Sequence, residues 1–226
     1  NIKVQATAPS SIIYFFGTGE GGGRPPVGRD LLKALWKINR DPVLSPSESF
    51  LPFSGRFGLN REDFLKELPE KTSRALRILC PEGFFPKAFL DQIAEAGKSV
   101  GAEIHFSFAT QAQFFAAFND PKSSDKFDYI LSIYVASERY PAVQLRYLTK
   151  SLAKPPIDLK KAESPDFTMD REVVFKDYER WLLRSQQAIP LYFDVTLFVH
   201  QAEFDIGEQS ISDAEIELWR VQEKAK

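Results

Sequence analysis

Thiols and imidazoles are scarce in this chain: its 226 residues hold one cysteine, one methionine and two histidines. A lone Cys80 excludes an internal disulfide, though it decides no compartment, since disulfide-free proteins also occur in oxidising spaces. It lies in the apolar run Ile78-Leu79-Cys80 and reads as a buried structural thiol. His105 and His200 stand apart, with neither H-x-x-x-H nor C-x-x-C spacing, so no metal site and no cofactor are expected. A G-x-S-x-G nucleophile motif is also missing. A Cys80–His105 pair is the one thiol-activating combination available, and nothing in the sequence brings the two together. Without an acid–base or nucleophile constellation, no catalytic residue is assigned and an enzyme is not expected.

Excess charge is lacking too. Lys and Arg number 29 against 31 Asp and Glu, a formal net charge of -2. A nucleic-acid partner would call for a basic excess or stripe, so none is expected. No apolar run approaches the roughly 18–20 residues of a membrane span. The chain begins at Asn1 and its single methionine is Met169. It is therefore read either as the product of signal-peptide removal or as a piece of a longer polypeptide.

What the chain does have is apolar bulk: 43% hydrophobic residues, 20 of them Phe. That suffices for a core without staples. Ser11 to Phe16 reads as a buried strand, and Val27 to Asn39 has Leu31, Leu32, Leu35, Trp36 and Ile38 at helical spacing. Residues 41 to 58, with Pro42, Pro46, Pro52, Gly55 and Gly58, read as an irregular loop, and Arg61 to Leu68 as a short helix. Then comes a regular alternation. Arg74 to Cys80 predicts a strand, Pro86 to Val100 a helix, Ala102 to Phe108 a strand with Ile104, Phe106 and Phe108 on one side, Gln111 to Phe118 a helix, and Phe127 to Val135 a strand. That order implies an α/β layer in which helices cover a sheet. Lys154 to Pro165 reads as loop. Asp170 to Gln187 predicts a helix with Val173, Val174, Asp177, Tyr178, Trp181 and Leu182 inward, and Ile189 to Val199 a long strand. Ser212-x-x-Glu215 has the pattern of a capping box opening a final helix with Ile216, Trp219 and Val221. No composition shift marks a linker, so residues 1–226 are expected to form a single domain.

Two features invite functional readings. Gly17-Thr18-Gly19-Glu20-Gly21-Gly22 matches G-x-G-x-x-G after a strand. A dinucleotide cradle needs those glycines to pass directly into a helix. Here Arg24-Pro25-Pro26 intervenes, and Glu20 sets a negative charge where phosphate would lie, so a loop is expected instead. Glu82, Asp128 and Glu138 fall near predicted strand ends, where α/β sheets bind ligands. Each is a candidate to anchor an amine by a charge-assisted hydrogen bond, or else an ordinary solvated loop charge.

Three segments carry a resemblance to a known family. They are Val27-Gly28-Arg29-Asp30-Leu31-Leu32-Lys33-Ala34-Leu35-Trp36-Lys37-Ile38-Asn39-Arg40; Phe127-Asp128-Tyr129-Ile130-Leu131-Ser132-Ile133-Tyr134 followed by Arg139-Tyr140-Pro141; and the helix from Phe175 leading into Gln186-Gln187-Ala188-Ile189-Pro190-Leu191-Tyr192. With the strand–helix–strand of residues 74 to 108 between them, their order resembles the large periplasmic solute-binding proteins, which include oligopeptide-, dipeptide- and nickel-binding members of ABC importers. The likeness covers most of the chain but only the second half of such a protein.

The resemblance implies an α/β fold, a single lobe of the periplasmic-binding-protein type II fold with a mixed sheet covered by helices. It implies a peptide or other small-solute ligand, a first lobe of the same polypeptide that is missing from this sequence, and an inner-membrane ABC permease as partner. It also implies a periplasmic location, or an extracellular, membrane-anchored one. The ligand-binding residues it points to are Tyr134, which stands at the family's Trp position, and Ser137, Glu138, Arg139 and Tyr140 in the following loop. That loop departs from the pattern: Arg139 precedes Tyr140 where the family has Asp, and Ala142 replaces the acid after Pro141. Either Glu138 takes over the anchoring or Arg139 beside it neutralises it, so the charged contact falls to Glu138 or Arg139. The same domain type, fused to a signalling or DNA-binding part, would instead be a sensor or regulatory module.

Overall fold

A computed structural model describes residues 2–18, 25–39, 44–47, 49–51, 58–135, 141–149, 155, 157–162 and 170–201, with short pieces at 204–205, 211–212, 215–216 and 222–223. The alternation read from residues 74 to 135 is present: β3 (Ala75–Pro81), α3 (Lys87–Ser99), β4 (Glu103–Ala109), α4 (Gln111–Asn119) and β5 (Tyr129–Val135). Before it come β1 (Ile2–Gly17), α1 (Arg29–Ile38), β2 (Leu44–Pro46) and α2 (Arg61–Glu67). After it come α5 (Pro141–Tyr147), α6 (Leu159–Ala162), α7 (Arg171–Arg184) and β6 (Ala188–Gln201).

These strands form one six-stranded mixed sheet in the order β2-β6-β1-β5-β3-β4. β3 runs parallel to both β4 and β5, whereas β1 is antiparallel to β5 and β6. Neighbouring residues of a strand point to opposite faces. Ile12, Ile13, Tyr14, Phe15 and Phe16 of β1, and Tyr129, Ile130 and Leu131 of β5, are all buried, so both faces of the central strands are covered.

Several joints fix the helices against the sheet. The first turn of α1 is clipped to the segment after α2: Asp30 Oδ1 accepts from the Thr72 amide at 2.9 Å and its hydroxyl at 2.6 Å, and the Arg29 amide donates to Pro69 O. The joint is tight at Gly28, where a Cβ would lie 2.4 Å from the Lys71 carbonyl carbon. Trp36 Nε1 and the Tyr192 hydroxyl tie α1 to β6 through Leu191 O and Leu35 O. At the end of α3, Gly97 admits Ile104 of β4 where a Cβ would meet its Cγ1 at 2.6 Å.

Four readings need correction. β1 begins at Ile2, well before Ser11, because its N-terminal half is held by a long antiparallel ladder to β6 from Ile2↔Gln201 onward. Within the expected loops, residues 44–46 form β2 against β6, and 159–162 form the single turn α6. The inner face of α7 is Val174, Phe175, Tyr178, Glu179, Leu182 and Leu183, while Val173 is 52% exposed, so the stripe is turned by about one residue from the expected one. Finally, Ser212 does not open a helix: Ile211 and Ser212 (β8) pair antiparallel with Ile216 and Glu215 (β9), and Gln222–Glu223 (β10) pairs with Phe204–Asp205 (β7). The backbone ladder of Ile211 with Ile216 and Ser212 with Glu215 stands where the Ser-x-x-Glu pattern signals a helix. Trp219 and Val221 lie outside the described residues.

Candidate functional site

The outgoing connection of β3 runs through α3 to β4 at the sheet edge. That of β5 runs the opposite way, past β1, to β6. Hydrogen-bonded parallel neighbours whose connections diverge leave a crevice at their carboxyl ends, where open α/β sheets bind ligands. The chain has a cavity of about 450 Å³ at that place. The turn after β3 (Glu82, Gly83, Phe84), the first turns of α4 (Gln111, Phe115) and Ser132 of β5 surround it. Ile78 pairs with Tyr129 and Leu79 with Ile130, so Pro81 and Ser132 come level at the mouth.

Local chemistry accounts for each wall. Gly83 adopts φ +70, a left-handed conformation open to glycine, and the turn it makes carries Phe84 to the rim. On the opposite wall, Thr110 and Gln113 form a reciprocal capping box that fixes the start of α4. Both Phe84 and Phe115 expose more than half their surface, at 56% and 54%. Among the described residues Glu82 is the one charged side chain lining the crevice. The site therefore offers apolar contact area, one carboxylate, one amide and one hydroxyl, which suits holding a ligand. Among the described residues no group of three or more His, Cys, Asp or Glu is placed to hold a metal ion.

Of the sequence-predicted residues, Tyr134 lies half-buried on β5 opposite Ile12, two residues beyond Ser132 and on the same face of the sheet. Ser137, Glu138, Arg139 and Tyr140 lie outside the described residues. Of the candidate carboxylates, Glu82 is at the crevice. Asp128 is not. It is buried just before the start of β5, at the opposite end of the strands from the crevice, where it accepts from the Arg77 amide and the Arg77 guanidinium at 2.7 Å each. It is a structural anchor between β3 and β5. The Gly-rich segment also leaves the sheet at that end, since Gly17 pairs with Tyr129 and Thr18 is tied to Phe127 O and Asp128 O. Residues 19–24 lie outside the described residues.

The thiol–imidazole pair is not assembled. Cys80 stands opposite Phe108 and His105 opposite Arg77, three residues apart along β4. Burial pushes the Cys80 thiol up to about 12, which leaves it protonated and inert. A second groove, of about 660 Å³, runs along α4 toward residues 120–127 and is rimmed by Asp120, Lys122, Asp125 and Lys126. Its walls are Leu79 of β3, residues 107–109 of β4 and Gln113, Ala116 and Ala117 of α4.

Phe84, Phe115, Gln111 and Ser132 were not picked out from the sequence. A usable signal was there: Phe84-Phe85 follows a strand inside the turn Pro81-Glu82-Gly83, where no local rule calls for exposed rings.

Comparison with known proteins bears on the fold. No family model matches the chain, and no curated protein matches it in sequence. Solved structures do. The unliganded open form of the periplasmic murein tripeptide binding protein MppA, a protein of Escherichia coli, superposes with a TM-score of 0.63 at 16% identity, over 90% of this chain and 46% of that one. The pheromone receptor PrgZ, a peptide-binding protein, gives 0.59 at 12% over 98% and 50%. The dipeptide binding protein of Pseudoalteromonas sp. SM9913 in complex with Met-Leu gives 0.58 at 15% over 99% and 50%. The chain thus spans about half the length of the solved proteins it resembles. It has the fold of a single lobe of a periplasmic binding protein.

Proposed function

We propose that the chain is the ligand-binding lobe of an extracytoplasmic substrate-binding protein, capturing a peptide or other small solute for an ABC importer. The observation that carries this reading is the crevice at the diverging ends of β3 and β5, in a fold shared with half of several peptide-binding proteins. Crevice residues Glu82, Phe84, Gln111, Phe115 and Ser132 would contact the ligand. Tyr134 and the loop residues Ser137, Glu138, Arg139 and Tyr140, which continue from the same strand end, would complete the wall. A first lobe of the same polypeptide would close over this face, and the closed complex would dock on an inner-membrane permease. No catalytic step is required of any residue. Such a protein works in the periplasm, or outside the cell tethered to the membrane.

The test is calorimetric titration of the full-length protein with peptides, sugars and metal chelates. Saturable binding of at least one solute is expected, and silence across the whole set would overturn the reading.

A further inference from the structure

We infer that the crevice selects a ligand bearing an aromatic or large apolar group, clamped between Phe84 and Phe115. This rests on the binding-lobe reading above and specifies the chemistry of its ligand.

The two exposed rings are held in place by the core. From β6 outward, Tyr192 meets Phe89 edge-on at 5.9 Å, Phe89 stacks on Phe85 at 5.7 Å, and Phe85 meets Phe84 at 5.0 Å and 75°. Exposure rises along that row from 1% at Tyr192 and 7% at Phe89 to 56% at Phe84. On the facing wall, buried Phe114 supports Phe115 edge-on at 5.9 Å and 78°. Both rims sit on fixed backbone, one on the Gly83 turn and the other on the capped first turn of α4. Rings already ordered in this way lose little freedom when a ligand covers them, so covering them translates into affinity.

The lining also limits what else can gain there. Among the described residues it brings one formal charge, Glu82, and no cation, so beside the two rings an acidic ligand group finds repulsion from Glu82 in place of an ion pair. A small group leaves both rings wet. An aromatic group covers ring surface and adds the offset or edge-on attraction that aromatic pairs gain beyond area burial.

The test uses the full-length protein and three tripeptides, Ala-Phe-Ala, Ala-Ala-Ala and Ala-Glu-Ala, titrated by calorimetry. Ala-Phe-Ala is expected to bind at least roughly tenfold more tightly than either of the others. In Phe84→Ala and Phe115→Ala that ratio is expected to collapse toward one. Phe84→Leu and Phe115→Leu keep apolar bulk and should give intermediate ratios, and Val173→Ala, on the distant α7, should leave it intact. Equal affinities in the parent protein overturn the aromatic preference while leaving a binding crevice standing. Failure of all three peptides to bind overturns the aromatic preference, and the wider screen of peptides, sugars and metal chelates then decides the binding-lobe reading. A preference that survives both alanine variants means another part of the polypeptide covers the rings and another site reads the ligand, and it too overturns the assignment.

Discussion

Glu179 is the residue in which the chain invests most against simple expectation. It is fully buried on α7, and its carboxylate accepts from the Ser49 hydroxyl and the Phe50 amide at 2.6 Å each and from the Leu59 amide at 2.7 Å. One side chain thereby joins both described ends of the 49–59 segment to the helix. Removal of water from the carboxyl outweighs these donors and raises its pKa to about 7. The folded state then holds a proton that the unfolded state releases near the ordinary value of 4.5. The group's stabilisation is fully present below that value and is lost as pH rises through about 7, by on the order of 3 kcal/mol. Urea unfolding across that range should show this fall, and Glu179→Gln should flatten it. Glu179→Ala strands three donors and should cost about 3 kcal/mol or more, read in the same experiment. This residue was illegible in the sequence, because a glutamate in an amphipathic helix reads as solvated. Its burial is also why the inner stripe of α7 falls one residue from where the apolar pattern put it.

Elements were most legible where period and length agree. α3, β5 and the β3–β4 pair follow their apolar spacing closely, and glycines mark the close approaches. β2 was hidden among prolines, and the first half of β1 among polar residues, because both are stabilised by pairing with β6 rather than by their own pattern. Burial explains a further difference. Ile104, Phe106 and Phe108 alternate as read, yet β4 is an edge strand and Phe108 is 58% exposed. Element docking is sharply constrained at the entry to α1. Gly28→Ala would drive a Cβ to 2.4 Å from the Lys71 carbonyl carbon and 2.6 Å from the Thr72 amide nitrogen. Backbone, not a flexible side chain, would have to move. A loss of about 1–3 kcal/mol is expected in denaturant unfolding, without a change in the helical content of the folded state.

At the scale of the whole molecule, the order of strands places the crevice. The sequence shows that order in outline, and the divergence of the β3 and β5 connections follows once the sheet is assembled. Which side chains line the crevice was only partly legible. Glu82 is legible from its strand-end position, whereas Phe84 and Phe115 gain their setting from a glycine turn and a helix cap that bring rings distant in sequence to one crevice. Asp128 lies at the opposite end of the strands, since it precedes β5 whereas Glu82 follows β3, and it is the carboxyl ends of an open α/β sheet that meet a ligand. The central claim is that ligand binds where β3 and β5 diverge. Hydrogen–deuterium exchange of the full-length protein with and without saturating Ala-Phe-Ala tests it most directly. Protection should concentrate in residues 81–84, 111–115 and 132–135, leaving 120–127 unchanged. Protection confined to the groove beside residues 120–127, or none in this chain, would contradict it.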